Sequence, residues 1–257
     1  LKSSEDRALW ADEAWYTLNA IPPLAQIKAD VEKATAPEKA QWIDLFDGKS
    51  FGGWRNYAGD SGSISKWVIE GGNLRLKPSQ FPWLAMASNY LFGGASGDLI
   101  YATRKFRNFE LSLEWKISEN GNSGIIYLVA DETHNMPWET GVEMQVLHNE
   151  GHADGQIYTH RAGDLYDLVA ADPETVRPPG EWNHARIRVQ DNKIEHWLNG
   201  SLVVAITRGS ARWKDAMADS KFAEVADYAT AEEGYIVLQD HGDPVWYRNI
   251  KIRVLDD

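Results

Sequence analysis

The amino-acid sequence predicts an all-β fold, most simply a jelly-roll sandwich of two antiparallel sheets. About ten segments alternate apolar and polar residues with the period of two that is typical of half-buried strands. Short turns rich in Gly, Asn and Asp separate these segments, as between the strands of a sandwich. With 257 residues the chain is long enough to bury a full core. It contains no internal repeat and no low-complexity tract.

The beginning of the chain follows a different pattern from the rest. Its apolar residues have helical spacing, Pro22-Pro23 interrupts that spacing, and an amphipathic pattern resumes over residues 24–34. We therefore expect an N-terminal helical extension over residues 1–41 and one jelly-roll domain over residues 42–257.

Strands and turns account for the pattern of the second part. Asn199-Gly200 is the strongest hairpin signal, because type I′ turns favour Asn-Gly. Residues 208–232 interrupt the strands with a helical or irregular insertion around Trp213 and Phe222. The predicted strand segments are residues 66–77, which form a hairpin, and residues 99–105, 109–117, 123–130, 142–147, 184–190, 193–198, 202–207, 235–240 and 246–255.

Composition excludes several classes of protein. The net charge of −12 argues against nucleic acid as a partner, because phosphate binding depends on clustered Lys and Arg. No apolar run approaches the roughly 20 residues that a membrane-spanning helix needs. The absence of Cys excludes disulfides and thiolate metal sites. The 12 Trp and 10 Tyr instead suit a β-sandwich that stacks aromatic rings on sugars.

One predicted strand, VEMQVL, combines an apolar face with a polar face. Val142, Met144 and Val146 alternate with Glu143 and Gln145. Side chains on the same face of a strand lie roughly 6.5 to 7 Å apart, so this carboxylate and amide can contact a single sugar ring. Aromatic and histidine residues flank the strand, which favours a carbohydrate site.

Other candidate site residues lie at the ends of predicted strands, where sites are commonly built. Tyr166 and Asp167 lie in AGDLYDLV, and Asp240 and His241 lie in LQDHG. An Asp next to a His can orient an imidazole for acid or base chemistry, but the two side chains can equally close a turn. The remaining candidates are Trp138, His148, Asn122 and Arg248.

A metal site is a weaker interpretation. His148, His152, Asp154 and His160 offer imidazoles and a carboxylate within one segment. However, HNEGH contains Gly and follows a strand, so it is not the helical H-E-x-x-H motif of zinc proteases. We assign no metal ligand and no cofactor, while the residue types leave a divalent cation open.

Seven segments of the chain, in order, resemble the 3-keto-disaccharide hydrolase domain family. They are LFDGKSFGGW, FELSLEWKISENGNSGI, WETGVEMQVLHNEGH, AGDLYDLV, GEWNHARI, IEHWLNG and LQDHGDPVWYRNIKI. The resemblance covers about residues 42–254 and implies a jelly roll of the concanavalin-like lectin and glucanase type. It also implies cleavage of 3-keto-glycosides or 3-keto-disaccharides, and export to the periplasm or cell surface. The first residue is Leu rather than Met, which a removed signal peptide or a cloning boundary would explain equally well.

The implied reaction requires a base, an acid and a ligand for an oxyanion. A ketone at sugar C3 acidifies the C2 hydrogen, so a base can remove that proton and expel the C1 substituent before water adds back. The candidate bases are Glu143 and His148. The candidate acids, or partners of an acid, are Asp167, Asp240 and His241. The candidate substrate ligands are Gln145, Asn122, Trp138, Tyr166 and Arg248.

Two other functions fit the same sequence. An ordinary glycosidase would use two carboxylates about 5 to 9.5 Å apart and would cleave unoxidised glycosides. A non-catalytic carbohydrate-binding module would depend on Trp83, Trp138 and Trp246 rather than on Glu143. The linkage, the aglycone and the oligomeric state do not follow from the residues.

Overall fold

The computed structural model describes residues 41–58, 64, 66–78 and 97–256. The described residues belong to one compact unit, residues 40–257, which consists mainly of strands. Residues 1–40 lie outside the described residues, so the predicted N-terminal helical extension stays a prediction.

Thirteen strands and one α-helix form the regular structure of the described residues. The strands are β1 (Ile43–Asp44), β2 (Trp54–Asn56), β3 (Trp67–Glu70), β4 (Asn73–Leu76), β5 (Leu99–Phe106), β6 (Phe109–Ile117), β7 (Asn122–Val129), β8 (Val142–Leu147), β9 (Asn183–Gln190), β10 (Lys193–Leu198), β11 (Ser201–Thr207), β12 (Gly234–Leu238) and β13 (Val245–Val254). The helix α1 (Ala211–Asp219) lies in the predicted insertion, and Pro137–Glu139 and Ala153–Gln156 form single 3₁₀ turns. The predicted strands agree with these bounds to within about two residues. None of the helices in the described ranges is long and apolar enough to cross a bilayer. The predicted periplasmic or cell-surface location stays a prediction.

The strands pair into two antiparallel sheets, which confirms the predicted all-β sandwich. The larger sheet has eight strands in the order β11-β10-β9-β6-β13-β4-β3, with β1 paired to β13. The smaller sheet has five strands in the order β2-β5-β12-β7-β8. Strands that neighbour each other in a sheet are often distant in the chain, as in a jelly roll.

The hydrophobic core lies between the two sheets. From the larger sheet, the alternate β6 residues Phe109, Leu111 and Trp115 are almost fully buried in it. From the smaller sheet, Val142 and Met144 of β8 are buried in the same cluster. Each such side chain stabilises the fold by roughly 1.5 to 3 kcal/mol relative to an exposed position. Because β8 buries these residues, its intervening residues point away from the core.

The outer face of the smaller sheet is also partly apolar. Tyr57, Ile100, Ile126 and Val237 form a second buried cluster there. The segment 162–169 covers the free edge of β8, because Leu165 forms a bridge with Met144. This segment and the outer face together position the candidate site.

Candidate active site

A cavity of about 630 Å³ opens on the outer face of the smaller sheet. Its size is typical of small-ligand sites. Its floor is formed by side chains of β7 and β8. Its walls are formed by the turn Pro137–Glu139, by Tyr166, by Lys221 of the insertion and by the residues that follow β12. The predicted strand VEMQVL therefore lies at the floor of the cavity.

Glu143 is the buried carboxylate of this floor. It alternates with the core residues of β8, and it is only 5% exposed. A Cβ atom on Gly124 of the neighbouring strand would lie 1.9 Å from Glu143 Oε1, so the carboxylate occupies space that any side chain there would take. With its amide nitrogen facing Glu143, Gln145 Nε2 donates to Glu143 Oε1 at 3.1 Å and to the Ser123 carbonyl at 2.9 Å. The sheet thus holds the carboxylate in one place.

The surroundings of Glu143 favour its neutral form. Burial is the main cause that raises the pKa of Glu143, and the nearby carboxylates of Asp98 and Asp154 raise it further. The Lys221 ammonium acts in the opposite direction. A carboxyl with a raised pKa in a cavity is a candidate for acid or base chemistry.

One wall of the cavity is aromatic and carries Lys221. The Tyr166 amide donates to the Glu143 carbonyl at 3.0 Å, which fixes Tyr166 beside the floor. The Lys221 amide donates to Asp167 Oδ2 at 2.7 Å. Lys221 Nζ then lies over the rings of Tyr166, at 4.3 Å from the centroid, and Trp138, at 5.4 Å.

The other wall is formed by the LQDHG segment after β12. The Asp240 amide donates to Asp98 Oδ1 at 2.6 Å, and Lys66 Nζ forms an ion pair with Asp240 Oδ2 at 2.6 Å. A Cβ atom on Gly97 would lie 2.0 Å from the same Asp240 oxygen, so the close approach depends on glycine. His241 follows in the wall, and burial lowers the pKa of its imidazole.

One group of the described residues has the composition of a metal site. The ligand atoms of His152, His241 and Asp243 lie within 4.8 Å of one another. However, His152 Nδ1 accepts a hydrogen bond from the Asp154 amide at 3.1 Å, so the proton of the neutral ring is on its other nitrogen. That arrangement competes with metal ligation, and a divalent cation stays a prediction.

The structure brings most of the predicted site residues together. Seven of them line the cavity: Asn122, Trp138, Glu143, Gln145, Tyr166, Asp240 and His241. They come from four separate stretches of the chain, and the pairing of β7 with β8 and of β7 with β12 places them side by side.

Three predicted residues do not line the cavity. His148 Nδ1 accepts from the Asn120 amide at 2.9 Å, because the chain turns away after β8. Asp167 is occupied by His160 Nε2, at 2.8 Å, and by the Lys221 amide. Arg248 belongs to the larger sheet, where its Nε lies 2.9 Å from Glu114 Oε2.

The cavity also has charged lining residues for which the sequence predicts no role in sugar binding or catalysis, among them Lys66, Asp98, Asp154 and Lys221. Lys221 lies in the insertion, which has no strand period that would indicate a functional face. Lys66 and Asp98 join the site through their contacts with Asp240, and these contacts between distant residues form only in the folded chain. Asp154 follows the strand VEMQVL, where its spacing to His148 and His152 indicates only a metal ligand.

The fold and the cavity together define the class of the molecule, which is a two-sheet jelly-roll sandwich with an acidic and aromatic ligand cavity on one sheet. The chain belongs to the 3-keto-alpha-glucoside-1,2-lyase-like domain family, which it matches over residues 41–253. This confirms the family resemblance found in the sequence.

Solved and curated relatives agree with this membership. The chain is 37% identical to a 3-keto-disaccharide hydrolase of Bacteroides thetaiotaomicron over 89% of this chain and 83% of the relative. A crystal structure of a protein assigned as a glycosyl hydrolase from Parabacteroides distasonis has a TM-score of 0.71 at 29% identity, over 88% of this chain and 97% of that one. A second crystal structure from the same organism, with the same assignment, has a TM-score of 0.62 at 26% identity, over 84% of this chain and 100% of that one.

Proposed function

We propose that this glycoside hydrolase cleaves 3-keto-glycosides by removing the proton at C2, expelling the C1 substituent and adding water. The observation that carries the proposal is Glu143, a buried carboxylate on the cavity floor with a raised pKa. No Lys or Arg of the described residues forms an ion pair with it. A base of this kind suits a carbon acid better than it suits a nucleophile that must stay ionised.

Each step can be written with the groups of the cavity. Glu143 takes the C2 proton, and the electron pair of the C2–H bond moves into the C2–C3 bond while the carbonyl π pair moves onto the C3 oxygen. The oxygen charge then re-forms the C3 carbonyl, the C2–C3 π pair moves to form the C1–C2 double bond, and the electron pair of the C1–O bond leaves on the departing oxygen. The leaving oxygen then takes a proton. Tyr166 is the proposed donor, because it lines the cavity and its raised pKa keeps the phenol protonated at the pH at which Glu143 is ionised, whereas the lowered pKa of His241 leaves its imidazole neutral there. Asn122 and Gln145 supply amide groups for sugar hydroxyls.

The names of the family and of the relative support the same chemistry. The family description refers to a 1,2-lyase and the curated relative is called a hydrolase. Elimination across C1 and C2 is a lyase reaction, and addition of water to its unsaturated ketone completes a net hydrolysis. One cavity with one base can therefore carry out both the elimination that the name lyase describes and the net cleavage that the name hydrolase describes.

The direct test is turnover of a 3-keto-glycoside in D₂O. Elimination followed by hydration places deuterium at C2 of the released sugar, which mass spectrometry and NMR detect. A 3-keto sugar kept in the same buffer without enzyme controls for spontaneous exchange. Release of a sugar with no C2 deuterium beyond this control would contradict the proposal. Equal turnover of the unoxidised glycoside would favour an ordinary glycosidase.

The pH profile separates the proposed base from a glycosidase acid. Because burial raises the pKa of Glu143 to about 8, a base at this position is mostly protonated at neutral pH. We expect kcat/KM to rise with pH and to level above about pH 8. If Glu143 were instead the general acid of a glycosidase, activity would fall through the same range. Glu143→Gln should remove this limb and lower kcat by about 10²- to 10⁴-fold.

A further inference from the structure

We infer that Lys221 is a further catalytic residue, whose ammonium binds the oxyanion that forms at C3 of the substrate. This inference rests on the proposed function. The insertion between β11 and β12 would then contribute a catalytic residue to the active site, in addition to packing against the sandwich.

The main chain at Lys221 is held firmly at the cavity. The Lys221 amide donates to Asp167 Oδ2 at 2.7 Å, and Ser220 Oγ accepts from the Phe222 amide at 3.2 Å. Asp167 is itself fixed, because its other oxygen lies 2.8 Å from His160 Nε2. The side chain of Lys221 therefore begins from a defined position at the wall.

The ammonium of Lys221 lies in an aromatic cage. It lies 4.3 Å from the ring centroid of Tyr166, 5.1 Å from that of Phe222 and 5.4 Å from that of Trp138. Aromatic faces attract a cation, but they do not take its hydrogen bonds. The N–H groups of this ammonium stay available to a ligand in the cavity.

Lys66, which also lines the cavity, differs from Lys221 in its ion pairing. Lys66 Nζ is neutralised by Asp240 Oδ2 at 2.6 Å. Among the described residues, Lys221 has no carboxylate within ion-pair distance. Its charge is therefore the one that a developing oxyanion can use.

Charge conservation links Lys221 to Glu143. Burial lowers the pKa of Lys221, and Glu143 acts against this by favouring the charged form of Lys221, just as Lys221 favours the charged form of Glu143. When Glu143 takes the C2 proton, the carboxylate loses its charge and one negative charge forms on the C3 oxygen. The ammonium faces one negative charge before and after this step, so no charge is left uncompensated in the cavity.

The test compares Lys221→Met with Lys221→Arg and with Lys214→Met. Lys214 lies on α1, is exposed, and does not line the cavity, so its variant should match the wild type. Loss of one oxyanion ligand typically lowers kcat by about 10²- to 10³-fold, and we expect this for Lys221→Met, with KM changed by less than about threefold. Lys221→Arg should restore part of the rate, since it keeps the charge.

The pH profile gives a readout that a structural role would not affect. Removing the ammonium leaves Glu143 without a group that lowers its pKa, so the rising limb should move to higher pH in Lys221→Met. The same shift should appear in a ¹³C NMR titration of the Glu143 carboxyl, assigned with Glu143→Gln, which needs no turnover. A Lys221→Met enzyme with wild-type kcat, or with reduced kcat and an unmoved Glu143 titration, would overturn the inference. A wild-type enzyme that does not turn over 3-keto-glycosides would instead refute the proposed function, and the inference with it.

Discussion

Gly124 decides where the Glu143 carboxylate can lie. The two residues belong to paired strands, and a Cβ atom at Gly124 would lie 1.9 Å from Glu143 Oε1 and 2.6 Å from its Cδ. We therefore predict that Gly124→Ala displaces the carboxylate and lowers kcat by roughly 10²-fold, as expected for a reacting group moved by about 1 Å. Steady-state kinetics and the melting temperature together show whether the loss is local.

A second substitution provides the control for Gly124→Ala. Glu143→Asp shortens the side chain, so it should reduce the clash that the new methyl group creates. The double variant should then lose less activity than the sum of the two single losses. Strictly additive losses would show that the methyl group acts elsewhere.

For single residues, a position that follows from strand alternation is easier to predict from the sequence than a position that depends on contacts between distant segments. Glu143 and Gln145 are predictable because alternation with Val142 and Met144 places both on the non-core face of one strand. Arg248 also lies on a predicted strand, but that strand belongs to the larger sheet, and its pairing with β6 shifts register directly after Arg248. Alternation assigns a face and does not assign a sheet.

The segment 162–169 acts as an irregular extra strand on the edge of β8. The Gly163 amide donates to the Gln145 carbonyl at 2.9 Å, and the Tyr166 amide donates to the Glu143 carbonyl at 3.0 Å. The segment closes a free sheet edge and places Tyr166 at the cavity, with Asp167 next to it but outside the lining. Asp167 then joins this segment to the insertion through the Lys221 amide.

We predict that Asp167→Asn loosens the insertion. An amide side chain carries no charge and has a single acceptor oxygen, so after accepting from the Lys221 amide it can bind His160 Nε2 only by donating from its nitrogen, which requires that Nε2 of the neutral ring carry no proton. Hydrogen exchange at residues 220–222 should become faster, and kcat should fall by roughly 10-fold because Lys221 is less well placed.

The matched control is Asp219→Asn, an exposed carboxylate at the end of α1. It should leave both the exchange rates and kcat at wild-type values. If Asp167→Asn had unchanged exchange at residues 220–222, Asp167 would not be the link between the two segments.

The elements themselves follow from the sequence more completely than the site does. The β6 strand, with Phe109, Leu111 and Trp115 at alternate positions, is predictable to the residue because one of its faces is fully buried. The insertion 208–232 is predictable only as a departure from that pattern. Its helix α1 buries Trp213, but the residues after it are held by contacts with distant segments such as Asp167.

At the scale of the whole molecule, buried polar pairs join the two sheets, and the pair of Tyr127 with His196 is one of them. Tyr127 of β7 lies in the smaller sheet and His196 of β10 in the larger one, and Tyr127 Oη lies 2.7 Å from His196 Nε2. His196 Nδ1 donates to the Gly163 carbonyl at 3.0 Å, which fixes the tautomer in which Nε2 accepts from Tyr127. The pairing of distant strands produces this contact, so local sequence patterns do not predict it.

Burial lowers the pKa of His196 from 6.5 to about 4, which makes the stability of the fold dependent on pH. The unfolded chain binds a proton at this histidine below about pH 6.5, whereas the folded protein binds it only near pH 4. The contribution of the neutral histidine is therefore fully present above pH 6.5 and is lost as the pH falls towards 4. A pKa difference of this size corresponds to at most roughly 3 kcal/mol of unfolding free energy.

We predict that His196→Gln flattens the dependence of stability on pH between 6.5 and 4.5, because glutamine can accept from Tyr127 and donate to Gly163 without titrating. The measurement is urea unfolding of both proteins across this range. Asp164 and Glu143 have raised pKa values and affect stability in the opposite direction, but they are common to both proteins and cancel in the difference. Tyr127→Phe is the control, since it removes the hydrogen bond but keeps His196 buried, and it should retain the wild-type slope. Parallel curves for the wild type and His196→Gln would mean that another group causes the loss of stability in acid.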